Sequence, residues 1–335
     1  MWYVGIDLGR RSLYVAAVHD SGRALAPVAI ECCDSERIVR TLQGLAPFRA
    51  VIEATGTYRW LYQLLRPHGT VVLAHASRLR ALVNRRSKTD KLDSQLLANL
   101  LRIDQIPLSY IPSDEYQYLR EVTRHRARLS RLMSEAKNGL QSLLARQNRV
   151  APYRAAFGPR GLRWFAQQDF GAADNAVRDE LVDRIAHYRL QLVAIDQRLE
   201  ELRLTYPQVE ALLDIRGIGL YFALLLVAEL GAPERFRSAK QVGAYAGLTA
   251  RIYQSGDHAY HGHITRQGSP WLRWALVQIA IRAVRGDNAL ENFYLRVRKR
   301  SSAKIARVAV ARKLAEICWR RLRRWHRLHP AAVAA

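Results

Sequence analysis

Short apolar runs separated by polar turns dominate the first third of the chain, and this pattern predicts strands alternating with helices. Strands are predicted over residues 2–7, 13–18, 24–31, 49–53 and 70–74. Helices are predicted from Asp34 or Ser35 to Leu45, from Tyr58 to Arg66, and from a Ser77 cap onward. Three strands in a meander, followed by alternating helices and strands, indicate a mixed sheet that helices cover.

A further helix is predicted to begin after Thr89, whose hydroxyl can cap its first turn. Its apolar stripe consists of Leu92, Leu96 and Leu97. Asp90 and Asp93 are three residues apart, so they lie on one face of this helix. Two aspartates also suit any helix start, because the helix dipole favours negative charge there, so this pair alone leaves a structural role open.

After a linker that contains Pro107, Pro112 and Ser113, the apolar positions follow the heptad spacing of two long helices. The first seam comprises Leu119, Val122, Leu129, Met133, Leu140 and Leu143, with Arg126 interrupting it. The second seam comprises Leu181, Ile185, Tyr188, Leu192, Ile195, Leu199 and Leu202. Residues 149–171 between them are expected to be irregular. An antiparallel coiled-coil hairpin that could also serve a dimer is favoured over two helices that simply pack together.

The last third of the chain is predicted to be mostly helical. Residues 218–230 are apolar apart from Glu229 and indicate a buried helix. Residues 212–219 join two helical patterns through a Gly-x-Gly turn and look like a helix-hairpin-helix, although an ordinary helical turn fits equally. A final helix is predicted over residues 302–325. Its inward face is expected to consist of Ile305, Val308, Leu314, Ile317, Cys318, Leu322 and Trp325.

These patterns predict the fold class α/β plus α in a chain of 335 residues, which is long enough for two or three domains. A mixed-sheet domain is expected over residues 1–110. A helical linker and dimerisation region follows over residues 111–206, and a mostly helical domain over residues 207–330.

The net charge of the chain indicates what kind of partner it binds. The chain carries 53 Lys and Arg against 29 Asp and Glu, a formal net charge of +24, which favours a polyanionic partner. Nucleic acid is the first candidate, and an anionic membrane surface is the weaker one. The excess is steepest between Arg296 and Arg327, where 13 basic residues accompany a single acid, Glu316. No apolar window reaches the length of a membrane span, so no membrane insertion is expected.

Cysteine usage and the start of the chain bear on its location. Cys32, Cys33 and Cys318 offer neither a disulfide framework nor the paired spacing of a zinc site. The chain opens directly on a strand pattern, with no signal-peptide signature before it. The reducing cytoplasm, in association with nucleoid DNA, is therefore the expected location.

Four carboxylates stand at the edges of predicted elements. Asp7 and Glu53 each end a predicted strand, where sheet-based active sites gather their groups, and Asp90 and Asp93 open a helix. Two close carboxylates repel one another unless a cation or a proton intervenes, so the set suits a pair of divalent ions flanking a scissile phosphate. Each carboxylate taken singly is more often structural. The neighbouring basic residues are Arg85, Arg86, Lys88 and Lys91.

A second polar segment surrounds Ser255 and Gly256, in a loop too polar to belong to a core. A serine hydroxyl becomes a nucleophile only with help from a base, a metal ion or positive charge. His258, His261 and His263 stand nearby, but they lack the acidic or cysteine partner that a zinc site needs. A surface Ser-Gly pair is also a common turn, so the residue alone decides nothing.

Taken in order, these motifs resemble those of DEDD insertion-sequence transposases related to Piv-type DNA invertases. This is the insertion-sequence one-hundred-and-ten family, also called bridge-RNA-guided recombinases. The N-terminal strings are Gly5-Ile-Asp7, Glu53-Ala-Thr-Gly-Thr-Tyr58 and Lys88-Thr-Asp90-Lys-Leu-Asp93. The C-terminal strings are Ile215-Arg-Gly-Ile-Gly219, Ala244-Tyr-Ala-Gly-Leu-Thr249, Ser255-Gly256, Gly262-His-Ile-Thr-Arg-Gln-Gly268 and Leu272-Arg273. The resemblance covers nearly the whole chain and is weakest between residues 150 and 205.

The resemblance implies a RuvC-like fold of the RNase H type, in which Asp7, Glu53, Asp90 and Asp93 hold magnesium. It implies that Ser255 attacks a DNA phosphodiester and forms a phosphoserine intermediate, with the serine of one subunit completing the carboxylate site of another. It also implies dimers that assemble into a tetramer, and a structured non-coding guide RNA that selects the DNA.

Nucleic-acid contacts are expected at basic residues and at the Gly-x-Gly turn. These residues are Arg85, Arg86, Lys88, Arg216, Gly217, Gly219, Arg266, Arg273, Arg298, Lys299, Arg300 and Lys304. The chain departs from the family pattern in two places. Arg216 stands where proline is usual, and Ser94 stands where alanine is common. Both departures affect local shape and leave the carboxylates and the serine in place.

Three other functions remain open from the sequence. A metal-dependent nuclease or junction resolvase would need the four carboxylates but not Ser255. The string Gly5-Ile-Asp7-Leu8-Gly9 also opens sugar kinases and actin-like ATPases, but their later glycine-rich phosphate loops are missing, as is any GxxxxGK[ST] motif. A non-catalytic nucleic-acid-binding protein would explain the charge but not the carboxylate set.

Overall fold

The computed structural model describes residues 1–82, 89–255, 258–286 and 289–330. The chain divides into two units, Met1–Ile111 and Pro112–Ala335. Each unit has a hydrophobic core of its own. The three-part division of the chain that the sequence suggests stays a prediction.

Within the described residues, the first unit is built on a six-stranded sheet. Its strands are β1 (Trp2–Leu8), β2 (Ser12–His19), β3 (Val28–Glu31), β4 (Phe48–Glu53), β5 (Thr70–Ala74) and β6 (Leu108–Ser109). Their order is β3-β2-β1-β4-β5-β6, with β1 antiparallel to β2 and parallel to β4. Ala50, Val51 and Ile52 of β4 are fully buried, as expected for a central parallel strand covered on both faces. The predicted mixed sheet is confirmed.

Helices accompany this sheet, and two of their starts have a clear local cause. The helices are α1 (Ser35–Gln43), α2 (Tyr58–Leu65), α3 (Ala76–Leu82) and α4 (Asp90–Arg102). The Asp34 carboxylate accepts a hydrogen bond from the backbone N–H of Arg37 at 3.0 Å. The Thr89 hydroxyl accepts one from the backbone N–H of Leu92 at 3.3 Å, so the predicted Thr89 cap is confirmed.

Two predicted boundaries in this unit are wrong. β3 begins at Val28 rather than at residue 24, because Pro27 has no N–H to give to the ladder, and Ala24 forms only an isolated bridge. α3 begins at Ala76, before the expected Ser77 cap. The residue before Ala76 already supplies the carbonyl that accepts a helical hydrogen bond, so the Ser77 hydroxyl is not needed as a cap.

α4 crosses β1 at Gly5, where the two backbones nearly touch. A Cβ atom at Gly5 would lie 2.1 Å from the carbonyl oxygen of Ser94 and 2.4 Å from the backbone nitrogen of Ala98. Only glycine permits so close an approach. Further along α4, Leu101 belongs to the same cluster as Tyr3, near the start of β1. α4 therefore runs opposite to β1, and its first turn points toward the carboxyl end of the strand.

We expect Gly5→Ala to lower the free energy of unfolding by about 3 kcal/mol, because the backbone of α4 would have to move away from β1. Urea denaturation followed by circular dichroism measures this change. Gly44→Ala is the matched control, since a Cβ there would have its nearest neighbours at 3.6 Å in an ordinary helical conformation. That control should change stability by less than about 1 kcal/mol. Equal unfolding midpoints for the two variants would contradict the crossing.

The second unit is mostly helical, as predicted. Its helices are α5 (Asp114–Arg146), α6 (Pro159–Gln167), α7 (Ala172–Thr205), α8 (Glu210–Leu213), α9 (Leu220–Leu230), α10 (Ala239–Tyr245), α11 (Pro270–Ala283), α12 (Ala289–Arg300) and α13 (Ala303–Leu328). An antiparallel hairpin of β7 (Ala250–Ser255) and β8 (His258–Ile264) interrupts them. Nowhere in the described parts of the chain is a helix long and apolar enough to cross a lipid bilayer.

The long helices α5 and α7 pack along one another in opposite directions. Ion pairs join Arg126 to Asp196 and Arg146 to Asp174, both at 3.0 Å. The fully buried or nearly buried seam residues are Leu119, Leu129, Leu140, Leu143, Ile185, Leu192, Leu199 and Leu202. Arg126, which breaks the heptad pattern, also places its guanidinium 4.3 Å from the ring centroid of Tyr221. The assignment of this hairpin as a coiled coil stays a prediction.

The segment over residues 149–171, expected to be irregular, contains α6. Gly158 precedes Pro159 at the first helical position, a helix start that the glycine and proline content of the segment obscured. Phe165 of α6 is fully buried and forms a small core with the neighbouring ends of α5 and α7, including Leu140 and Ile185. The tip of the hairpin is therefore a packed element with its own apolar contacts.

α9 lies in the core of the second unit, and residues 223–230 are all buried, which confirms the buried helix. The Glu229 carboxylate accepts hydrogen bonds from Arg124 at 2.7 and 3.1 Å and from the Ser269 hydroxyl at 2.8 Å. Arg120 donates to two carbonyl oxygens at the end of α9, at 2.8 and 3.0 Å. This network ties α5, α9 and the start of α11 together.

We expect Arg124→Ala to lower the free energy of unfolding by about 3–5 kcal/mol, because Glu229 would keep a buried charge without its cationic partner. The Glu229 side chain is only 1% exposed. Arg131→Ala removes an arginine from an exposed pair with Glu135 at 3.5 Å and should cost less than about 1 kcal/mol. Thermal and urea unfolding of both variants distinguish the two cases. Equal losses of unfolding free energy in the two variants would show that the buried pair stabilises the protein no more than the exposed pair does.

The buried face of α13 differs from the expected one at its first turn. Leu314, Cys318 and Leu322 are buried as predicted, but Ile305 is 58% exposed and Ala306 is buried in its place. The expected stripe leaves a gap of six residues between Val308 and Leu314, so the start of the helix was not held to the phase of the rest. Burial raises the pKa of the Cys318 thiol to about 12, so this cysteine is kept protonated and inert.

Candidate active site and nucleic-acid surfaces

Two of the predicted carboxylates end neighbouring parallel strands. β1 and β4 pair in register, with Ile6 opposite Ile52, so Asp7 and Glu53 follow side by side at the carboxyl edge of the sheet. Both residues are half-buried. Parallel strands deliver their last side chains to the same edge, where α/β enzymes place many of their sites.

The other two carboxylates lie in the first turn of α4. Asp93 directly precedes Ser94, which packs at Gly5, and Asp90 lies about one helical turn earlier. Asp7 is two residues beyond Gly5 and so shares its face of β1. Because α4 runs opposite to β1, the first turn of the helix extends toward the edge that carries Asp7.

Glu53 belongs to the same face of the sheet, since it lies two residues beyond Val51, which clusters with Leu97 of α4. The backbone positions of the four carboxylates therefore converge on one edge of the first unit. Among the residues that the structure describes, no three His, Cys, Asp or Glu side chains are already grouped to hold a metal ion. The donor set consists of carboxylate oxygens, which fit a hard divalent cation such as Mg²⁺, and a cation would offset the repulsion among them.

Several predicted site residues fall outside the described part of the chain. Arg85, Arg86 and Lys88 precede α4, and Gly256 follows Ser255. The side chain of Ser255 lies outside it as well, and only the backbone of this residue can be placed.

Ser255 is the last residue of β7, and its backbone pairs with that of His258 at the start of β8. The expectation of a loop is therefore corrected, because the serine ends a strand at the tip of a two-stranded hairpin. The polar sequence was misleading, since a two-stranded ribbon can form from strands that lack an apolar face.

Two predicted nucleic-acid residues, Arg266 and Arg273, lie beyond the base of this hairpin. Arg266 adopts a left-handed conformation with φ of 55°, which is rare for a residue with a long side chain. Beside it, a Cβ atom at Gly268 would lie 2.0 Å from the carbonyl oxygen of Tyr245, so the loop is pressed against the end of α10. Arg273 donates to the carbonyl oxygen of Ala246 at 3.3 Å. Burial, and then the charge of Arg266, lower the pKa of Arg273, so this pair of like charges suits an anion.

The Gly-x-Gly turn joins α8 to α9. Gly217 has φ of 91°, and a Cβ atom there would lie 3.0 Å from the carbonyl oxygen of Ile279 on α11. Gly219 precedes α9 without a side-chain cap, and a Cβ there would have no atom within 4 Å. Arg216 in the same turn is exposed. An open helix start beside a basic residue suits a phosphate, while the helix-hairpin-helix assignment stays a prediction.

The remaining predicted contacts lie at the junction of α12 and α13. Arg298, Lys299 and Arg300 end α12, and Lys304 lies in the first turn of α13. All four side chains are exposed. Their cluster is therefore on the surface, where it can meet a polyanion.

Two family models of transposases match the chain in order. One, of the DEDD type and described as "Transposase", matches residues 4–148 and so includes all four carboxylates. The other, described as "Transposase IS116/IS110/IS902 family", matches residues 209–295 and includes Ser255. The chain belongs to this transposase family. The resemblance of its motifs is thereby confirmed, and the chain is an enzyme of the DNA transposase and recombinase class.

Relatives of this transposase align over most of its length. "Probable family 20 transposase" of Pseudomonas aeruginosa is 23% identical over 329 residues, 96% of each chain. "Transposase for insertion sequence element IS1328" of Yersinia enterocolitica is 23% identical over 331 residues, 94% of this chain and 95% of the relative. "Pilin gene-inverting protein" of Moraxella bovis is 26% identical over 281 residues, 80% of this chain and 78% of the relative. The match thus spans both units of the transposase.

Proposed function

We propose that this transposase cuts and rejoins DNA at an insertion sequence through attack of Ser255 on a DNA phosphodiester. The observation that carries the proposal is the crossing of α4 over β1 at Gly5, which directs Asp90 and Asp93 toward the edge that carries Asp7. A serine at the tip of a two-stranded hairpin supplies a nucleophile of the type that a carboxylate-bound cation activates.

In the proposed step, the Ser255 oxygen forms a bond to phosphorus while the bond from phosphorus to a deoxyribose oxygen breaks. The serine proton passes to solvent or to a carboxylate, and the leaving deoxyribose oxygen takes up a proton. Magnesium held by Asp7, Glu53, Asp90 and Asp93 would neutralise phosphate charge and favour the serine alkoxide. The phosphoserine ester retains the phosphodiester linkage, so a deoxyribose hydroxyl can rejoin the strand without ATP.

The nucleic-acid contacts belong to the same proposal. Phosphates of the DNA would lie against the turn over residues 216–219, against Arg266 and Arg273, and against the basic junction of α12 and α13. Charge supports this assignment, because a net charge of +24 on one chain favours a polyanion. Arg85, Arg86 and Lys88, which precede Asp90 and Asp93 in the sequence, would add further contacts.

The partners implied by resemblance complete the proposal. They are a structured non-coding guide RNA and further copies of the chain, as dimers that assemble into a tetramer in the nucleoid. The paired helices α5 and α7 would supply the surface for such assembly. Relatives named for gene inversion as well as for transposition fit an enzyme that rejoins the strands it cuts.

A plasmid assay tests the proposal with the purified transposase, supercoiled DNA that carries the ends of its own element, and the transcript that flanks the gene. In Mg²⁺ we expect joined products and a protein–DNA adduct that survives denaturing electrophoresis, and in EDTA we expect neither. Mg²⁺-dependent nicking without an adduct would favour a metal-dependent nuclease instead. Binding without cleavage under every condition would favour a non-catalytic binding protein.

A mixing experiment tests whether the serine and the carboxylates act from different copies. Asp7→Asn and Ser255→Ala proteins are each assayed alone and then together after co-expression. If one copy supplies the serine and another the carboxylates, the mixture should regain adduct formation that neither variant shows alone. Failure of the mixture, with both variants still assembling with each other, would place both groups in one chain.

A further inference from the structure

The exposed side of α11 next to α9 carries an aromatic surface that the proposed chemistry does not use. Trp274 of α11 is 38% exposed, and its ring centroid lies 5.8 Å from that of Phe222 on α9, at an interplanar angle of 50°. The Phe222 ring lies 5.1 Å from the ring of Tyr221, and both rings are half-buried beside the exposed Trp274. We call these three side chains the aromatic platform.

A basic edge continues the platform along α11. Trp274, Gln278 and Arg282 recur every four residues and are all exposed, so they share one face of the helix. This face is about 12 Å long from Trp274 to Arg282. A Cβ atom at Gly217 would lie 3.1 Å from the Cβ atom of Arg282, which places the glycine turn at the basic end of the face. Arg216 in that turn is also exposed.

Acidic groups at both ends of this surface are already paired. In the glycine turn, Asp214 accepts a hydrogen bond from Arg321 of α13, which lowers the pKa of Asp214. At the other end, Asp196 pairs with Arg126, whose guanidinium stacks on Tyr221. The face therefore combines aromatic rings with arginine charges, and Asp214 and Asp196 are neutralised by other partners.

We propose that the aromatic platform binds an unpaired stretch of DNA, with a base stacked on Trp274 and backbone phosphates at Arg282 and Arg216. Aromatic rings stack on bases of any sequence, and arginines neutralise the phosphates between them. A duplex hides the faces of its bases, so only an unpaired strand can use the platform. This proposal rests on the proposed strand exchange, which releases DNA strands from pairing and so supplies the ligand.

Fluorescence anisotropy with full-length protein tests the platform. The probes are a labelled DNA strand of about 16 nucleotides, its duplex and an RNA strand of the same sequence. EDTA is present throughout, so binding is measured without cleavage. Trp274→Ala should weaken binding of the DNA strand by about 5- to 100-fold and binding of the duplex by less than about 2-fold. Trp274→Phe keeps a stacking ring and should stay within about 3-fold of the wild type.

Two further variants separate stacking from charge and from general loss of apolar surface. Arg282→Gln should reduce the slope of log K against log salt concentration by about 0.7 for the DNA strand, whereas Trp274→Ala should leave that slope unchanged. Leu108→Ala removes a 56% exposed apolar side chain from β6 of the first unit and should leave binding of all three probes unchanged.

The next three outcomes would each overturn the proposal in a distinct way. Equal losses for the strand and the duplex would exclude stacking of an unpaired base, and a loss seen with RNA alone would exclude DNA as the ligand. A change of oligomeric state in sedimentation, with unchanged DNA binding, would assign the platform to a second copy of the chain. A different result separates the platform from the proposed reaction. If Trp274→Ala weakens binding of the DNA strand as expected, but the wild-type protein joins no DNA in Mg²⁺, the platform is supported and the proposed reaction is wrong.

Discussion

Replacing Ser255 with alanine should abolish both DNA joining and the covalent protein–DNA adduct, by at least about 1,000-fold in rate. The reason is that no other atom of the protein would form the bond to phosphorus that the proposed reaction needs. Binding of the target DNA should change by less than about 2-fold, since a single hydroxyl contributes little to a contact dominated by phosphates. The measurement is denaturing electrophoresis of labelled DNA after reaction in Mg²⁺.

Ser134→Ala is the matched control for this substitution. The Ser134 hydroxyl donates to the carbonyl oxygen of Ser130 within α5, at 2.8 Å, and the residue is exposed. Its loss should leave joining unchanged. If Ser255→Ala still forms the adduct at the wild-type rate, the serine reaction is wrong. If nicking persists without an adduct, the carboxylates act on water and the protein is a nuclease.

Replacing Asp7 with asparagine should reduce Mg²⁺-dependent cleavage by about 1,000-fold, because an amide removes one of the negative charges that a divalent cation needs. Asp104→Asn makes the same chemical change at an exposed residue of the first unit, which pairs with Arg49 at 3.3 Å. This control should cleave at nearly the wild-type rate. A time course of plasmid cleavage at several Mg²⁺ concentrations separates slower chemistry from weaker metal binding.

Calorimetry links this loss to the metal itself. The double variant Asp90→Asn and Asp93→Asn should lose the heat of Mg²⁺ binding, since both helix carboxylates are gone. Unchanged Mg²⁺ affinity in that double variant would remove the helix from the metal site. Loss of cleavage in Asp7→Asn with a normal Mg²⁺ titration would give the strand carboxylate a role other than metal binding.

Local signals predicted much of the first unit correctly, because strands and helix caps depend on a few adjacent residues. The mixed sheet and the Thr89 cap both followed from such signals. The Gly5 crossing did not, because it depends on contact between a strand and a helix that lie about 90 residues apart in the sequence. A glycine inside a buried strand was the available clue, since such a glycine often marks the close approach of another backbone.

In the second unit, the spacing of apolar residues did not predict several features correctly. The hairpin of β7 and β8 has no apolar period, because it lies in a two-stranded ribbon without a large sheet to face. α6 lay hidden in a segment rich in glycine and proline, where Gly158 and Pro159 in fact mark its start. Ile305 was assigned inward because the spacing near the end of a helix is ambiguous by one residue. The candidate carboxylates were found as motif members, whereas their common edge required the register of β1 with β4.

The paired helices α5 and α7 also have a mechanical consequence. The 33 residues of α5 span about 50 Å, and the hairpin has one apolar cluster at its tip and another where it joins the remainder of the second unit. A tilt of about 10° at the joined end would carry the tip through roughly 9 Å. The buried pair of Arg124 and Glu229 sits near that pivot. A molecule that binds the tip and moves it by several ångströms would therefore need only a small rotation at the joined end, close to Arg124 and Glu229.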